Sequence, residues 1–176
     1  METEKEEGRK PMSTTLKPYT DYLEEEGAQW KLVDPRQVET APWTLFKCQY
    51  GCPRYGKSRC CPPHSPDYRR TREILDSYRR GILFSVAGDS NQLAVETARR
   101  LFLGGFYKSL ALGGHPCTLC ESWDLETCRF PQKAIPSMEA CGIDVFATAR
   151  RCGFEMHTFA EKTEGPYRQF ALVLVE

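Results

Sequence analysis

The chain has 176 residues, enough for one domain with its own hydrophobic core and too few to assume two. Lysine and arginine total 24, as do aspartate and glutamate, and this balance gives no indication of a nucleic-acid or membrane-surface binder. The first residues lack the apolar segment of a signal peptide, and no apolar run is long enough to span a membrane. We therefore expect a cytoplasmic protein that binds neither nucleic acid nor membrane.

The N-terminal third alternates between regular and irregular segments. Residues 1–13 are charged and aperiodic, which predicts a disordered tail in front of a single domain over residues 14–176. Apolar residues at helical spacing predict a short helix over residues 16–28, and a strand is predicted over residues 30–33. Residues 47–66 are rich in Cys, Gly and Pro and predict an irregular loop.

Regular structure is predicted again from Ser65, where a capping serine is followed by Pro66 and Asp67. In chain order the pattern then predicts a helix to about residue 80, a strand over residues 82–87, a helix over residues 90–104 and a strand over residues 106–112.

The C-terminal third begins with a second irregular stretch over residues 113–136, which contains three cysteines. A helix is predicted over residues 138–152, and two closing strands over residues 154–160 and 168–175. Because helices and strands alternate before the two closing strands, we expect an α/β fold. Its mixed β-sheet is flanked by helices, and two cysteine-rich loops interrupt it.

Nine cysteines are many for this length, and an odd number cannot all pair within one chain. In a reducing cytosol, clustered cysteines are more often metal ligands or redox groups than disulfides. Cys152 stands apart and is expected to pack as a small apolar residue. The other eight predict that the domain binds a metal cofactor: Cys48, Cys52, Cys60, Cys61, Cys117, Cys120, Cys128 and Cys141.

The first cysteine group lies among glycines and prolines, where backbone amides can face the sulfurs of an iron–sulfur cluster. Both Cys52 and Cys61 precede proline, as ligands do in bacterial ferredoxin-type runs. Side chains of vicinal cysteines diverge, so Cys48, Cys52 and Cys61 are assigned as ligands. Cys60 is either the fourth ligand or a spare. Three thiolates would leave one iron of a 4Fe–4S cluster open, and a zinc loop that uses His64 is the alternative.

The second cysteine group contains a Cys-x2-Cys hook formed by Cys117 and Cys120. Zinc and iron–sulfur sites both use this hook. Cys128 and Cys141 bring the group to four thiolates, enough to close a site with either metal. The pattern therefore predicts a metal here without naming it.

Four motifs match those of a known family. They are Cys-Pro-Arg-Tyr-Gly-Lys with Cys-Pro-Pro in residues 48–63, Pro-Cys-Thr-Leu-Cys in residues 116–120, Cys-Arg-Phe-Pro in residues 128–131 and Pro-Ser-Met-Glu-Ala-Cys-Gly-Ile-Asp-Val in residues 136–145. Over about residues 17–175 the chain resembles an uncharacterised prokaryotic family of predicted metal-binding proteins, domain of unknown function 2284. The resemblance implies iron–sulfur or other metal binding with no agreed activity. It also implies a further cysteine near Trp123 in relatives, which makes Cys141 the fourth ligand of the second group.

Taken together, the sequence predicts an iron–sulfur protein with one or two clusters of the 4Fe–4S type, since eight clustered thiolates match two four-cysteine sites. It would transfer electrons or serve as redox accessory to a larger enzyme system, with a redox protein or enzyme complex as its partner. Two alternatives stay open: an enzyme whose open-site cluster acts as a Lewis acid on a small substrate such as a sulfur compound, and a zinc-stabilised interaction module.

A basic helix is the last sequence feature with a functional interpretation. One interpretation is that its five arginines form a docking patch for an acidic partner or for an anionic substrate. The other, which is the commoner case, is that they form a solvated helix face. They are Arg69, Arg70, Arg72, Arg79 and Arg80.

Overall fold

The structure is a computed structural model that describes residues 15–158, 160–161 and 164–176. The predicted disordered tail over residues 1–13 lies outside the described residues. In chain order the elements are α1 Lys17–Glu25, β1 Gln29–Val33, α2 Pro42–Gly51, α3 Tyr68–Asp76, β2 Gly81–Val86, α4 Ser90–Leu103, β3 Leu110–Leu112, α5 Val145–Arg151 and β4 Gln169–Leu174. None of the helices in these ranges has the length and apolar character needed to cross a membrane.

The four strands form one sheet in the order β1-β2-β4-β3. Strands β2 and β3 run in the same direction on either side of β4, and α4 connects them. The predicted α/β fold with helices flanking a sheet is confirmed. A mixed sheet was expected, but every pairing between the named strands is antiparallel. The reason is that β4 enters the gap between β2 and β3, so the two parallel strands never pair with each other.

Both faces of the sheet are covered, which explains why every residue of β2 is buried. On one face α1 and α4 pack their leucines against Phe84 and Val173. On the other face Leu75 of α3 and Ala149 of α5 pack against Leu172. Full burial of each large apolar side chain contributes about 1.5–3 kcal/mol, so the sheet and its two helical layers form the stable part to which the cysteine loops are attached.

Three helices have an aspartate as their N-cap. For α3 the sequence suggests a serine instead. Asp67 accepts hydrogen bonds from the amides of Arg69 and Arg70 and starts α3 two residues after the predicted cap at Ser65. Helix α3 then ends at Asp76, before the expected residue 80. Asp89 caps α4 and Asp144 caps α5 in the same way.

The predicted loop over residues 47–66 is helical in its first part. Helix α2 extends to Gly51 and therefore includes Cys48. Pro42 occupies the first turn, where its missing N–H costs nothing, and Thr44 donates a hydrogen bond to the Ala41 carbonyl. The sequence pattern missed this helix because the outward-facing aromatic residues of α2 obscure the helical periodicity.

Other predicted elements are shorter than expected. The strand over residues 106–112 is reduced to β3, because the Phe106 amide bonds to the Leu101 carbonyl and belongs to the end of α4. The helix over residues 138–152 is divided into a 3-10 turn, Glu139–Cys141, and α5, because Gly142 adopts a φ of 79°. Residues 154–158 form no strand; Phe159 lies outside the described residues.

Candidate metal centre

Eight of the nine cysteines lie on the two loops and the short elements that border them. Cys48 is on α2 and Cys52 caps its C-terminus. The remaining members of the first group, Cys60 and Cys61, lie between α2 and α3, and the second group follows β3. All nine cysteines fall within the described residues and are free thiols.

Cys60 and Cys61 are adjacent in sequence but differ in their first cysteine neighbour. The Cys60 thiol lies beside Cys117 and within electrostatic range of Cys128 and Cys61. Burial is the main cause that raises the pKa of Cys60 to about 12, and these neighbours add to it. Burial also raises the pKa of Cys61, and Cys52 and Cys117 raise it further. Cys60 therefore lies with the second loop, whereas Cys61 has neighbours in both cysteine groups.

Four cysteines from the two loops line one small cavity of about 40 Å³. The first loop contributes Cys60, and the second loop contributes Cys117, Cys120 and Cys128. This set, called the four-thiol cavity below, contains three of the four residues predicted for the second group. Cys60 also lines it, whereas Cys141, the fourth residue predicted for the second group, does not.

The other three cysteines of the first group, Cys48, Cys52 and Cys61, lie near one another and are called the three-thiol cluster, although Cys61 is also within electrostatic range of Cys117. Burial raises the pKa of the Cys48 thiol, and the nearby Cys52, Cys61 and Glu139 raise it further. Glu139 comes close because α2 packs against the 3-10 turn that contains it. The three-thiol cluster thus has a carboxylate as neighbour, a residue that sequence reasoning did not assign to the site.

Cys141 is embedded in the core, and Cys152 is half-buried against it. Cys141 is 1% exposed and belongs to the hydrophobic cluster around Met138 and Ile143. Burial raises the pKa of its thiol to about 12, with smaller contributions from Cys60 and Glu139. Cys152 packs against the same core, and burial raises the pKa of its thiol as well.

One arginine joins the two cysteine loops. Arg54 Nη1 donates a hydrogen bond to the Cys117 carbonyl oxygen over 2.8 Å. The guanidinium also stacks on the Trp123 ring, with its Cζ 4.6 Å from the ring centroid. Sequence reasoning did not assign a role to Arg54, although it lies within the Cys-Pro-Arg-Tyr-Gly-Lys motif.

Asn91, at the start of α4, holds the beginning of the second loop. Its Nδ2 donates to the His115 carbonyl over 2.9 Å, and its Oδ1 accepts from the Gly114 amide over 2.9 Å. Gly114 also approaches β4 so closely that a Cβ there would lie 2.2 Å from the Phe170 carbonyl oxygen. No sequence motif marked Asn91, because the contact joins residues from separate elements.

Residues 31–175 match the family model described as "Predicted metal-binding protein (DUF2284)". The chain belongs to this family. The match contains both cysteine loops and confirms the resemblance, although it begins at Lys31 rather than near residue 17. Comparisons with curated proteins and with solved structures returned no match. Membership establishes metal binding as the family's predicted property without specifying the metal.

The arrangement of donors in this DUF2284 protein can be compared with the needs of particular metals. Within the described part of the chain, no three His, Cys, Asp or Glu side chains lie close enough together to hold a single metal ion. A tetrahedral site with Zn–S bonds of 2.3 Å requires sulfurs about 3.8 Å apart. Ligands of a multi-iron cluster bind different irons and stand further apart. His64, the histidine of the predicted zinc alternative, is exposed and does not line the four-thiol cavity.

The arginines of α3 in this family member are partly used within the fold. Arg72 donates from Nη1 to the Val38 carbonyl over 2.7 Å and from Nη2 to the Pro35 carbonyl over 2.8 Å. Arg70 pairs with Glu73 on the surface of the same helix over 2.9 Å. Arg72 therefore supports the fold, and Arg70 belongs to a solvated surface pair.

Proposed function

We propose that this protein binds iron–sulfur clusters at the two cysteine loops and serves as an electron-transfer protein or as the redox accessory of a larger enzyme. The observation that carries the proposal is that four cysteines from both loops line one cavity. Three further cysteines of the first group, Cys48, Cys52 and Cys61, lie near one another.

The four-thiol cavity has the donor set of a closed cluster. Four thiolates complete the coordination of a 4Fe–4S cluster and leave no iron open, which suits electron transfer without bond making. Cys60, Cys117, Cys120 and Cys128 are all half-buried, so protein surrounds part of the site. Solvent exposure and hydrogen bonds to the sulfurs are the properties that tune the reduction potential of such a cluster.

The three-thiol cluster favours a second candidate function. Three cysteines bind three irons of a 4Fe–4S cluster, and the fourth iron is then available to Glu139 or to a small substrate. An enzyme using that iron as a Lewis acid on a small molecule is the function that this group supports. Electron transfer through the four-thiol cavity and Lewis-acid chemistry at the three-thiol cluster are compatible within one chain.

Metal analysis of anaerobically purified protein tests the proposal. We expect brown protein with about eight iron and eight sulfide per chain if both groups are loaded, and about four of each if one is. Electron paramagnetic resonance of the reduced protein should show cluster signals. Colourless protein with stoichiometric zinc and no sulfide would contradict iron–sulfur binding and favour the zinc-stabilised module.

Two variants distinguish the two groups. Cys60→Ser should reduce the signal of the four-thiol cavity and spare the three-thiol cluster, whereas Cys61→Ser should do the reverse. A substrate-like thiol added to the Cys60→Ser protein should shift the spectrum of the remaining cluster if one of its irons is open. A spectrum unchanged by the thiol would argue against the Lewis-acid function alone.

A further inference from the structure

Helix α2 exposes three aromatic side chains on its outer face. Trp43 is 45% exposed, Phe46 65% and Tyr50 71%. Their spacing of three and four residues places them on one side of the helix. The Phe46 and Tyr50 rings are in contact, with centroids 4.7 Å apart, and Lys47 Nζ lies 5.0 Å from the centroid of Trp43. Together they form an apolar surface, called the α2 face, on a helix whose buried side points to the core through Thr44.

The stretch of chain that contains the α2 face and the loop after it carries positive charge only. Residues 42–66 contain four cations and no Asp or Glu, although the whole chain has equal numbers of acids and bases. Lys47, Lys57 and Arg59 are exposed, while Arg54 is engaged with the second loop. An aromatic surface bordered by cations has the composition of a protein–protein interface.

The α2 face is also near the proposed clusters. Cys48 lies on the same helix, and Cys52 caps its end. A protein docked on the outer side of α2 would therefore be separated from the three-thiol cluster by little more than the helix itself. Electron exchange between two proteins needs such a short separation.

We propose that the α2 face docks an electron-carrier protein with an acidic surface, an inference that rests on the proposed iron–sulfur function. With a cluster held by Cys48, Cys52 and Cys61, one electron would pass from the reduced carrier to the oxidised cluster, and no bond would be formed or broken. Complementary charge steers the carrier to the α2 face, and the aromatic residues supply the apolar surface that is buried on binding. A second copy of this chain is a poorer occupant, because a symmetric contact would bring the same cations against each other.

An acidic flavodoxin is a suitable probe for this surface. The full-length, cluster-loaded protein is mixed with flavodoxin, and binding is measured by titration at low and high salt. Carbodiimide cross-linking then joins lysines to carboxylates in contact, and mass spectrometry locates the links. We expect links at Lys47 and Lys57 and a loss of binding at high salt, because the Debye length falls to about 3 Å at 1 M salt.

Matched variants test the two components of the surface separately. Lys57→Glu should weaken flavodoxin binding about tenfold at low salt. Arg99 is an exposed cation on α4, away from the face, and Arg99→Glu should leave the binding unchanged. Tyr50→Ser should weaken flavodoxin binding by a similar factor. Tyr107 lies outside the α2 face and is 75% exposed, so Tyr107→Ser should leave the binding unchanged. Iron content is measured for each variant, and Phe46→Ser replaces Tyr50→Ser if the latter loses its clusters.

Several results would overturn the proposal. The first is flavodoxin binding that none of the α2 variants changes, and the second is cross-links found only outside residues 42–60. The third is a dimer of this chain that the Tyr50→Ser substitution dissociates. The fourth is a single-stranded oligonucleotide that binds more tightly than flavodoxin and whose binding the same variants lose. Failure of the iron–sulfur function is distinguishable, because it is seen in metal content, whereas docking is seen in cross-links that require no cluster.

Discussion

The guanidinium of Arg54 donates a hydrogen bond to the backbone carbonyl of Cys117, a residue 63 positions further along the chain. This bond joins the first cysteine loop to the second at the point where Cys60 and Cys117 meet. The four-thiol cavity is formed from both loops, so its geometry depends on how firmly they are held together. Arg54 is therefore the first residue to test outside the cysteines.

Replacing Arg54 with Met should weaken the contact between the two cysteine loops. The variant loses a hydrogen bond from a charged donor and the stacking on Trp123, and we expect a loss of about 1.5–3 kcal/mol in the free energy of unfolding. Chemical denaturation of the metal-free protein measures it. Lys57→Met, an exposed cation of the same loop, serves as control and should change stability by less than about 0.5 kcal/mol. Equal effects of the two substitutions would refute the role given to Arg54.

Asn91→Ala should loosen the start of the second loop. The Gly114 amide and the His115 carbonyl lose their partner, and unsatisfied buried groups cost about 1–3 kcal/mol each. Hydrogen exchange detects the change directly, as faster exchange of the Gly114 amide. Asn91→Asp keeps the acceptor for that amide and removes the donor to His115, so protection of Gly114 should largely return. Unaltered exchange in Asn91→Ala would show that the loop is held by other contacts.

Substitution of Cys60 and Cys141 decides which of them completes the second group. Cys60 lines the four-thiol cavity, whereas Cys141 is buried in the core, so Cys60→Ala should lower metal content and Cys141→Ala should not. Cys141→Ala should instead cost about 1 kcal/mol of stability through the small cavity it leaves. Cys152→Ala is the control for a cysteine outside both groups. Loss of metal in Cys141→Ala with retention in Cys60→Ala would restore the ligand set expected from the sequence.

The arginines of α3 should differ sharply in their effect on stability. Arg72 holds the carbonyls of Pro35 and Val38, so Arg72→Met should destabilise the fold by about 2 kcal/mol. Arg70 makes an exposed pair with Glu73, and Arg70→Met should change stability by less than about 0.5 kcal/mol. Thermal unfolding monitored by circular dichroism compares the two. Similar midpoints would mean that the Arg72 contacts contribute nothing measurable.

The main elements of the fold could be predicted because their residues follow simple local rules. Buried β2 and β4 are continuous apolar runs, and α4 has regular apolar spacing with an acid at its cap. Helix α2 was missed because its exposed face is aromatic and the residue it buries, Thr44, is polar, which reverses the usual helical pattern. The antiparallel sheet was missed because the insertion of β4 between β2 and β3 is a tertiary event that leaves no local signal.

The site could be predicted as two cysteine groups but not as two three-dimensional sets. Sequence spacing groups residues by loop, and the four-thiol cavity takes one thiol from one loop and three from the other. The expected divergence of the vicinal Cys60 and Cys61 could not indicate which thiols Cys60 would lie beside. That depends on the Arg54 and Asn91 contacts, whose partners are distant in sequence.

The position of β4 also bears on the order in which the fold can assemble. Strand β4 follows the other three strands along the chain, yet it lies in the middle of the sheet, and its Phe170 lies against Gly114 at the base of the second loop. Before β4 is in place, β3 lacks the strand with which it pairs, and the second loop lacks one of its two supports. The four-thiol cavity therefore reaches its final geometry only after the C-terminal strand has entered the sheet.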